Sequence, residues 1–339
     1  PAISRFPPVP AERQAAAIRT AMQYLNSIGL TTIYDPGGIG IKQESYERIR
    51  QMAASEGISV RVFHTLNAGV PRTPEEARAF IERINGTKPF QGNAMIDLLA
   101  VGEIYYGPFH WDNNFGHVEP TDEDVAIGME VLMAAASGGW SVQTHAMQHQ
   151  TIDVLLSAFE AVNKGYPMRH LRWTITHADN ISPKQFERTK HLGVNLQLRS
   201  TPVLGDRAAI EDIYGDATYH MPPLRAVQAS GIAYGLGSDG TKASQINPFV
   251  TLWWAVSGKA LNGKVVSKQT LTREEALIAH TRSNAYLLWQ EMRLGAIKPG
   301  LFADMLVLDR DYLSVPVDEI KDIHPVATIV NGEIVYGEL

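Results

Sequence analysis

The sequence predicts an α/β fold, a parallel sheet whose strands alternate with helices, followed by a small β module at its C-terminal end. Three observations predict it. Short runs rich in β-branched and aromatic residues alternate many times with longer stretches of helical periodicity. The spacing between successive strand-like runs suits right-handed crossovers between parallel strands. Residues 295–339 lack any long helical pattern and carry Asn331-Gly332 between two alternating apolar runs, a hairpin signal.

In chain order, residues 11–28 (AERQAAAIRTAMQYLNSI) read as a helix stopped by Gly29, and residues 31–34 as a strand ending in Asp35-Pro36-Gly37-Gly38. A helix over 44–56 and a strand over 58–65 (ISVRVFHT) follow. The next helix, over 74–84, has Thr73 as its N-cap and Pro74 in its first turn. The strand over 96–103 (IDLLAVGE) leads to a helix over 122–137, and the strand over 140–145 to a helix over 151–163. The strand over 172–177 leads to a helix over 182–191 that opens on Ser182-Pro183. A strand over 194–198, a helix over 223–230 and a strand over 232–238 complete the alternation, with helices around 250–257 and 273–288 after it. That makes seven strands before Pro248. A closed barrel of this kind needs eight. The expectation is therefore a TIM-type (β/α)8 barrel over residues 1–294 that lacks its first strand in this chain, with an open doubly wound sheet as the alternative. Residues 295–339 are expected to form part of a small β-sandwich, with strands over 304–308, 327–330 and 333–336.

Composition narrows the function classes. There is no cysteine, so disulfides, thiolate zinc sites and cysteine nucleophiles are excluded. The 30 basic and 36 acidic residues give a net charge of −6, with no basic block, so a nucleic-acid partner is not expected. The longest apolar runs fall far short of the ~18 residues of a membrane span. The chain opens at Pro1 on the Pro-rich PAISRFPPVP, which has no apolar run of signal-peptide type and reads as cut or processed upstream. The compartment stays open.

Polar residues gather at the predicted C-terminal ends of the strands: Asp35, His64, Glu103, His145, His177, Arg199 and Asp239. Parallel α/β folds build their active sites at that edge. Two imidazoles and two or three carboxylates on one rim, without thiolates, suit Zn, Mn or Fe in hydrolytic chemistry. Plainer readings stand beside these. His64 reads first as a capping or packing residue. His145 and His177 each close an apolar run (WSVQTH, RWTITH) and are ligands or packing residues on pattern alone. Asp239 in GLGSDGT could cap the next segment, and Glu103 could be an ordinary strand-end charge. His149, four residues after His145, reads as structural or as a support for a ligand. His110 and His117 flank an aromatic loop (FHWDNNFGH) of the sort that lines pockets or lies exposed. Trp253 and Trp254 read as helix packing.

The order of His on the fifth barrel strand, His on the sixth and Asp on the eighth, followed by a β module, resembles the amidohydrolase superfamily. Within it the chain is most similar to the amidohydrolase-3 branch, which includes N-substituted formamide deformylase-like and YtcJ-like proteins. The resemblance covers essentially the whole chain. LNSIGLTTIYDPGG is similar to the branch's second barrel strand, THAMQHQTIDVLLSAFE to its fifth strand and helix, ITHADNISPKQFERTKHLGV to its sixth unit and GLGSDGTKASQINPF to its eighth strand. LTREEALIAHTRSNAYLL and LGAIKPGLFADMLVLDRD are similar to the closing helix and sandwich portion. The resemblance implies that His145 and His177 are metal ligands and that Asp239 binds metal and acts as general base. Where many relatives carry a Lys, this chain has IDLLAVGE, and Glu103 fits a sub-branch with Gly-Glu there, as a bridging or metal-proximal carboxylate. Three departures accompany this. The family's His-x-His pair does not occur in these residues, so the chain is expected to start after it. Met147-Gln148-His149-Gln150 stands where relatives have Gly-Asp-Arg, and Thr176 where they often have Glu.

The function implied is hydrolysis of a C–N bond in a small amide, formamide or cyclic amide by metal-activated water. The ion is expected to be zinc, with manganese or iron as alternatives. Arg225, His110 and His149 are candidates for substrate contact. Two unpaired barrel edges are expected to be covered by a missing strand from another fragment or by self-association into a homo-oligomer. The rival expectation is a catalytically degenerate binding protein that keeps the barrel and a residual metal or ligand site.

Overall fold

A computed structural model describes residues 10–37, 43–110, 118–200, 204, 207–240 and 245–339. The seven expected strands are present: β1 (Thr32–Asp35), β2 (Arg61–Asn67), β3 (Ile96–Gly102), β4 (Ser141–Ala146), β5 (Thr174–His177), β6 (Asn195–Arg199) and β7 (Tyr234–Gly237). They pair in chain order, every pair parallel, into one curled sheet. Among the described residues β1 and β7 are each paired on one side only, so the sheet is not closed. The difference shows in burial. All residues of β2, β3, β4 and β5 are buried, whereas those of β1 are half-buried.

Helices cover the sheet because alternate strand residues are apolar and need an apolar partner. Leu196 and Leu198 of β6 join one continuous core with Phe159, Leu192, Val227 and Trp254 from the surrounding helices. Trp253 and Trp254, on the helix Pro248–Ser257, are buried in that core as expected. The opposite parity on β6 puts Asn195, Gln197 and Arg199 on the other face. Local signals fix the helix starts. Thr73 accepts from the Glu76 amide ahead of Pro74–Gly86, and Thr121 and Asp124 form a reciprocal cap ahead of Asp122–Ser137.

The helices Gly107–His110 and Arg207–Tyr214 were not expected, and two of the expected elements differ. The single helix expected over 273–288 is two, Arg273–His280 and Arg282–Leu287. Between them Thr281 adopts φ −124° and ψ −83°. Its hydroxyl donates to the Leu277 carbonyl, offering the backbone an alternative to the helical ladder. The second strand runs from Arg61 to Asn67, two residues past its expected end. His64 is therefore mid-strand and not a rim residue. It stacks on Tyr46 of the helix Gln43–Ser55 with ring centroids 3.9 Å apart. The sequence could not show this, because the end of β2 is set by its continued pairing with β3 as far as Asn67 and Gly102, which are distant in sequence.

At the C-terminal end, β8 (Met305–Leu308), β9 (Pro325–Val330) and β10 (Glu333–Gly337) form an antiparallel sheet in the order β10-β9-β8. Asn331 and Gly332, both at positive φ, make the expected turn between β9 and β10. This small sheet docks near the N-terminal ends of the barrel strands. Arg61, the first residue of β2, forms a forked ion pair with Asp304 at 2.6 and 2.9 Å and lies 4.4 Å from the Phe302 ring centroid. Thr328 donates to the Asn26 carbonyl at 2.7 Å. The C-terminal rim of the barrel is left to other uses.

Candidate metal centre

Three strand ends bring the site together. Glu103 follows β3 directly, and its carbonyl accepts from the His145 amide at 3.1 Å, extending the β3–β4 ladder by one bond. His145 pairs in register with Thr176, and Ala146 with His177. The chain then turns sharply, with His177 at φ +74° and Ala178 at φ +48°. Such left-handed backbone at non-glycine residues is uncommon and is held by its surroundings.

The side chains converge. Glu103 Oε2 lies 3.1 Å from His177 Nε2 and 3.6 Å from His145 Nδ1. The two imidazoles meet edge to face, their centroids 4.5 Å apart at 71°. All three residues are buried, each 7% exposed. The Thr176 hydroxyl lies 3.2 Å from Glu103 Oε2 and 3.0 Å from the Thr144 carbonyl, and can donate to one of them at a time. Burial alone would raise the Glu103 pKa. The charge of the His177 imidazole, its hydrogen bond and the nearby His145 imidazole outweigh it and hold the carboxyl well below the usual carboxylate range. The carboxylate is thus ready as an anionic donor.

Among the described residues, this is the one group of three or more His, Asp or Glu whose ligand atoms all lie within 4.8 Å of one another. Two imidazoles and one carboxylate, with no thiolate, form a donor set that zinc and related divalent ions accept. The residues fit a catalytic metal.

The other expected site residues sit as follows. Asp239, just past β7 at φ +68°, lies outside the three-residue group; its Oδ2 accepts from Arg199 Nη1. Arg199, the last residue of β6, also grips the fully buried Asp179, from Nη2 at 2.6 Å and from Nε at 3.2 Å, and touches Met147 Sδ at 2.8 Å. Burial would lower its pKa, but Asp179 and Asp239 raise it above the ordinary guanidinium value. His149 opens the helix His149–Gly165, with Nδ1 3.3 Å from Asn180 Nδ2, while its carbonyl accepts from Gln185 at 2.6 Å. Arg225 forks onto Glu275 at 2.7 and 3.0 Å and donates to the Thr270 carbonyl, tying two helices. The His110 side chain and the residues 111–117 lie outside the described residues, so the expected aromatic loop does as well. Asp35 accepts from the Gly37 amide at 2.8 Å. Sequence reasoning missed Asp179. A strand-end arginine needs a counter-charge once buried, and that was the available signal.

The model of the amidohydrolase family matches residues 1–336. N-substituted formamide deformylase from Arthrobacter pascens is 25% identical over 210 residues, 61% of this chain and 38% of the deformylase. The chain thus spans less than half the length of that relative. An uncharacterized metal-dependent hydrolase from Pyrococcus horikoshii OT3 superposes with a TM-score of 0.70 at 21% identity, covering 91% of this chain and 62% of that one. A variant of atrazine chlorohydrolase from Arthrobacter aurescens TC1, solved with zinc and atraton, superposes with a TM-score of 0.63 at 17% identity, covering 97% of this chain and 73% of that one.

Proposed function

The chain belongs to the amidohydrolase family, in its amidohydrolase-3 branch, and from that premise we propose that it is a metal-dependent hydrolase that splits the C–N bond of a small amide, formamide or cyclic amide. One observation carries the reading: the buried convergence of Glu103, His145 and His177 within 4.8 Å at the rim of the sheet. These three residues would hold the ion, zinc by preference. When bound, a divalent ion supplies Lewis acidity toward a carbonyl oxygen and toward water.

The chain's own residues do the rest. Asp239 is the general base. Arg199 engages its Oδ2, so Oδ1 is the atom that takes a proton from the attacking water. The same oxygen returns that proton to the departing amine nitrogen as the C–N bond breaks. The products are the carboxylic acid and the amine, and Asp239 ends as it began. His149, beside Asn180, is the described residue proposed to border the substrate. The relatedness to a formamide deformylase supports formamides as the first class to assay. The buried convergence of Glu103, His145 and His177 counts against a degenerate binding protein.

The test is a panel of N-substituted formamides, linear amides and cyclic amides offered to the intact zinc-loaded protein, with released amine as readout. Turnover of at least one class is expected, falling by about 10²-fold or more in Asp239→Asn and in His177→Ala. Absence of hydrolysis across the panel by zinc-loaded protein would overturn the proposal.

A further inference from the structure

Resting on that reading of the metal donors and the base, we infer that Arg199 is a positioning residue that sets the mutual placement of three strand ends. One guanidinium touches Asp239 itself, Asp179 and Met147. Met147 is two residues beyond His145, and Asp179 two residues beyond His177. Arg199 thus meets the segment leading out of each imidazole strand and the carboxylate proposed as base. It does so from β6, the strand that lies between β5 and β7.

The arrangement has a direction. Asp179 is fully buried, so its charge must be met inside the protein, and Arg199 meets it through both Nε and Nη2. That fork leaves Nη1 aimed at Asp239. A planar fork sets three partners at fixed angles, whereas a lysine ammonium on a flexible stem does not. The need for such a clamp is local. His177, Ala178 and Asp239 all hold left-handed backbone, which persists only where neighbours over-determine it. Groups that orient ligands from outside the coordination sphere typically change metal affinity by 10–100-fold when removed.

Zinc binding to the intact protein, measured by competition with a chelating dye, tests this without any substrate. Arg199→Lys keeps the charge and loses the fork; it is expected to weaken zinc binding by about 10–100-fold with an unchanged far-UV circular dichroism spectrum. The double variant Arg199→Met, Asp179→Asn removes both buried charges together. It keeps the test open if the lysine variant folds poorly, and the same loss is expected. Arg188→Met, at the Asp153 and Glu160 cluster on the helical surface, serves as control and should bind like the parent. Parent-like zinc affinity in both Arg199 variants, with His177→Ala still abolishing binding, would overturn the positioning role alone. Parent-like affinity in His177→Ala would overturn the metal reading and this inference with it.

Discussion

His64 is the packing residue that its sequence pattern reads first. Its side chain is fully buried, stacked on Tyr46, and Nδ1 donates to the Thr65 carbonyl at 3.1 Å. Burial lowers its pKa from 6.5 to about 4, against the raising effect of that hydrogen bond. The sign of the consequence is fixed. Between about pH 4 and 6.5 the unfolded chain binds a proton that the folded one refuses, so stability falls as pH drops through that window. The loss for this one group reaches about 3 kcal/mol at low pH, because each pH unit crossed inside the window costs ~1.4 kcal/mol. Urea titrations of the parent from neutral pH down through the window should show the decline, and His64→Phe, which keeps a ring against Tyr46, should flatten it. An equally steep decline in the variant would assign the effect elsewhere. Glu103 is the opposite case. Its type and its place at the end of β3 were legible in the sequence. Its pairing with His177 was not, because the two are 74 residues apart and meet only when β3, β4 and β5 lie side by side.

At the scale of elements, helix and strand identity came from period and capping, and their ends came from tertiary contacts. The helix expected over 273–288 broke at Thr281, and β2 slid toward its C-terminal end. β2 keeps pairing with β3 as far as Asn67 and Gly102, and at its other end stands Arg61. Its side chain is buried at the head of β2, where Asp304 meets it from the segment before β8. That ion pair joins the barrel to the C-terminal sheet, and its two side chains are 1% and 6% exposed. Removing one member would strand the other charge in a buried place. Arg61→Ala is therefore expected to destabilise the protein by about 3–5 kcal/mol. Arg61→Ala combined with Asp304→Ala should recover part of that. Chemical denaturation of both variants would check it, and an Arg61→Ala variant as stable as the parent would show that the pair contributes nothing.

For the whole molecule, the architecture separates tasks between two ends. The C-terminal sheet docks near the N-terminal ends of the strands, and the Glu103, His145 and His177 cluster lies at their C-terminal rim. An ion at that rim would bind the folded chain and not the unfolded one. Zinc at 100 times its dissociation constant should then raise unfolding stability by about 2.7 kcal/mol, and a chelator should reverse it. Thermal scans with and without zinc would measure this; His145→Ala should abolish the shift, and a shift of equal size in that variant would place the ion elsewhere. The sequence by itself determined the strand count, the alternation, the hairpin at Asn331-Gly332 and the residue types at the strand ends, because periodicity, turn chemistry and residue type are local properties. Only the tertiary structure decided that His64 faces a helix, that Arg225 is taken by Glu275 and that Arg199 binds Asp179 and Asp239 together. The reason is physical: which face a strand residue presents, and which counter-charge a buried arginine finds, depend on neighbours brought close by parallel pairing and not on neighbours in sequence.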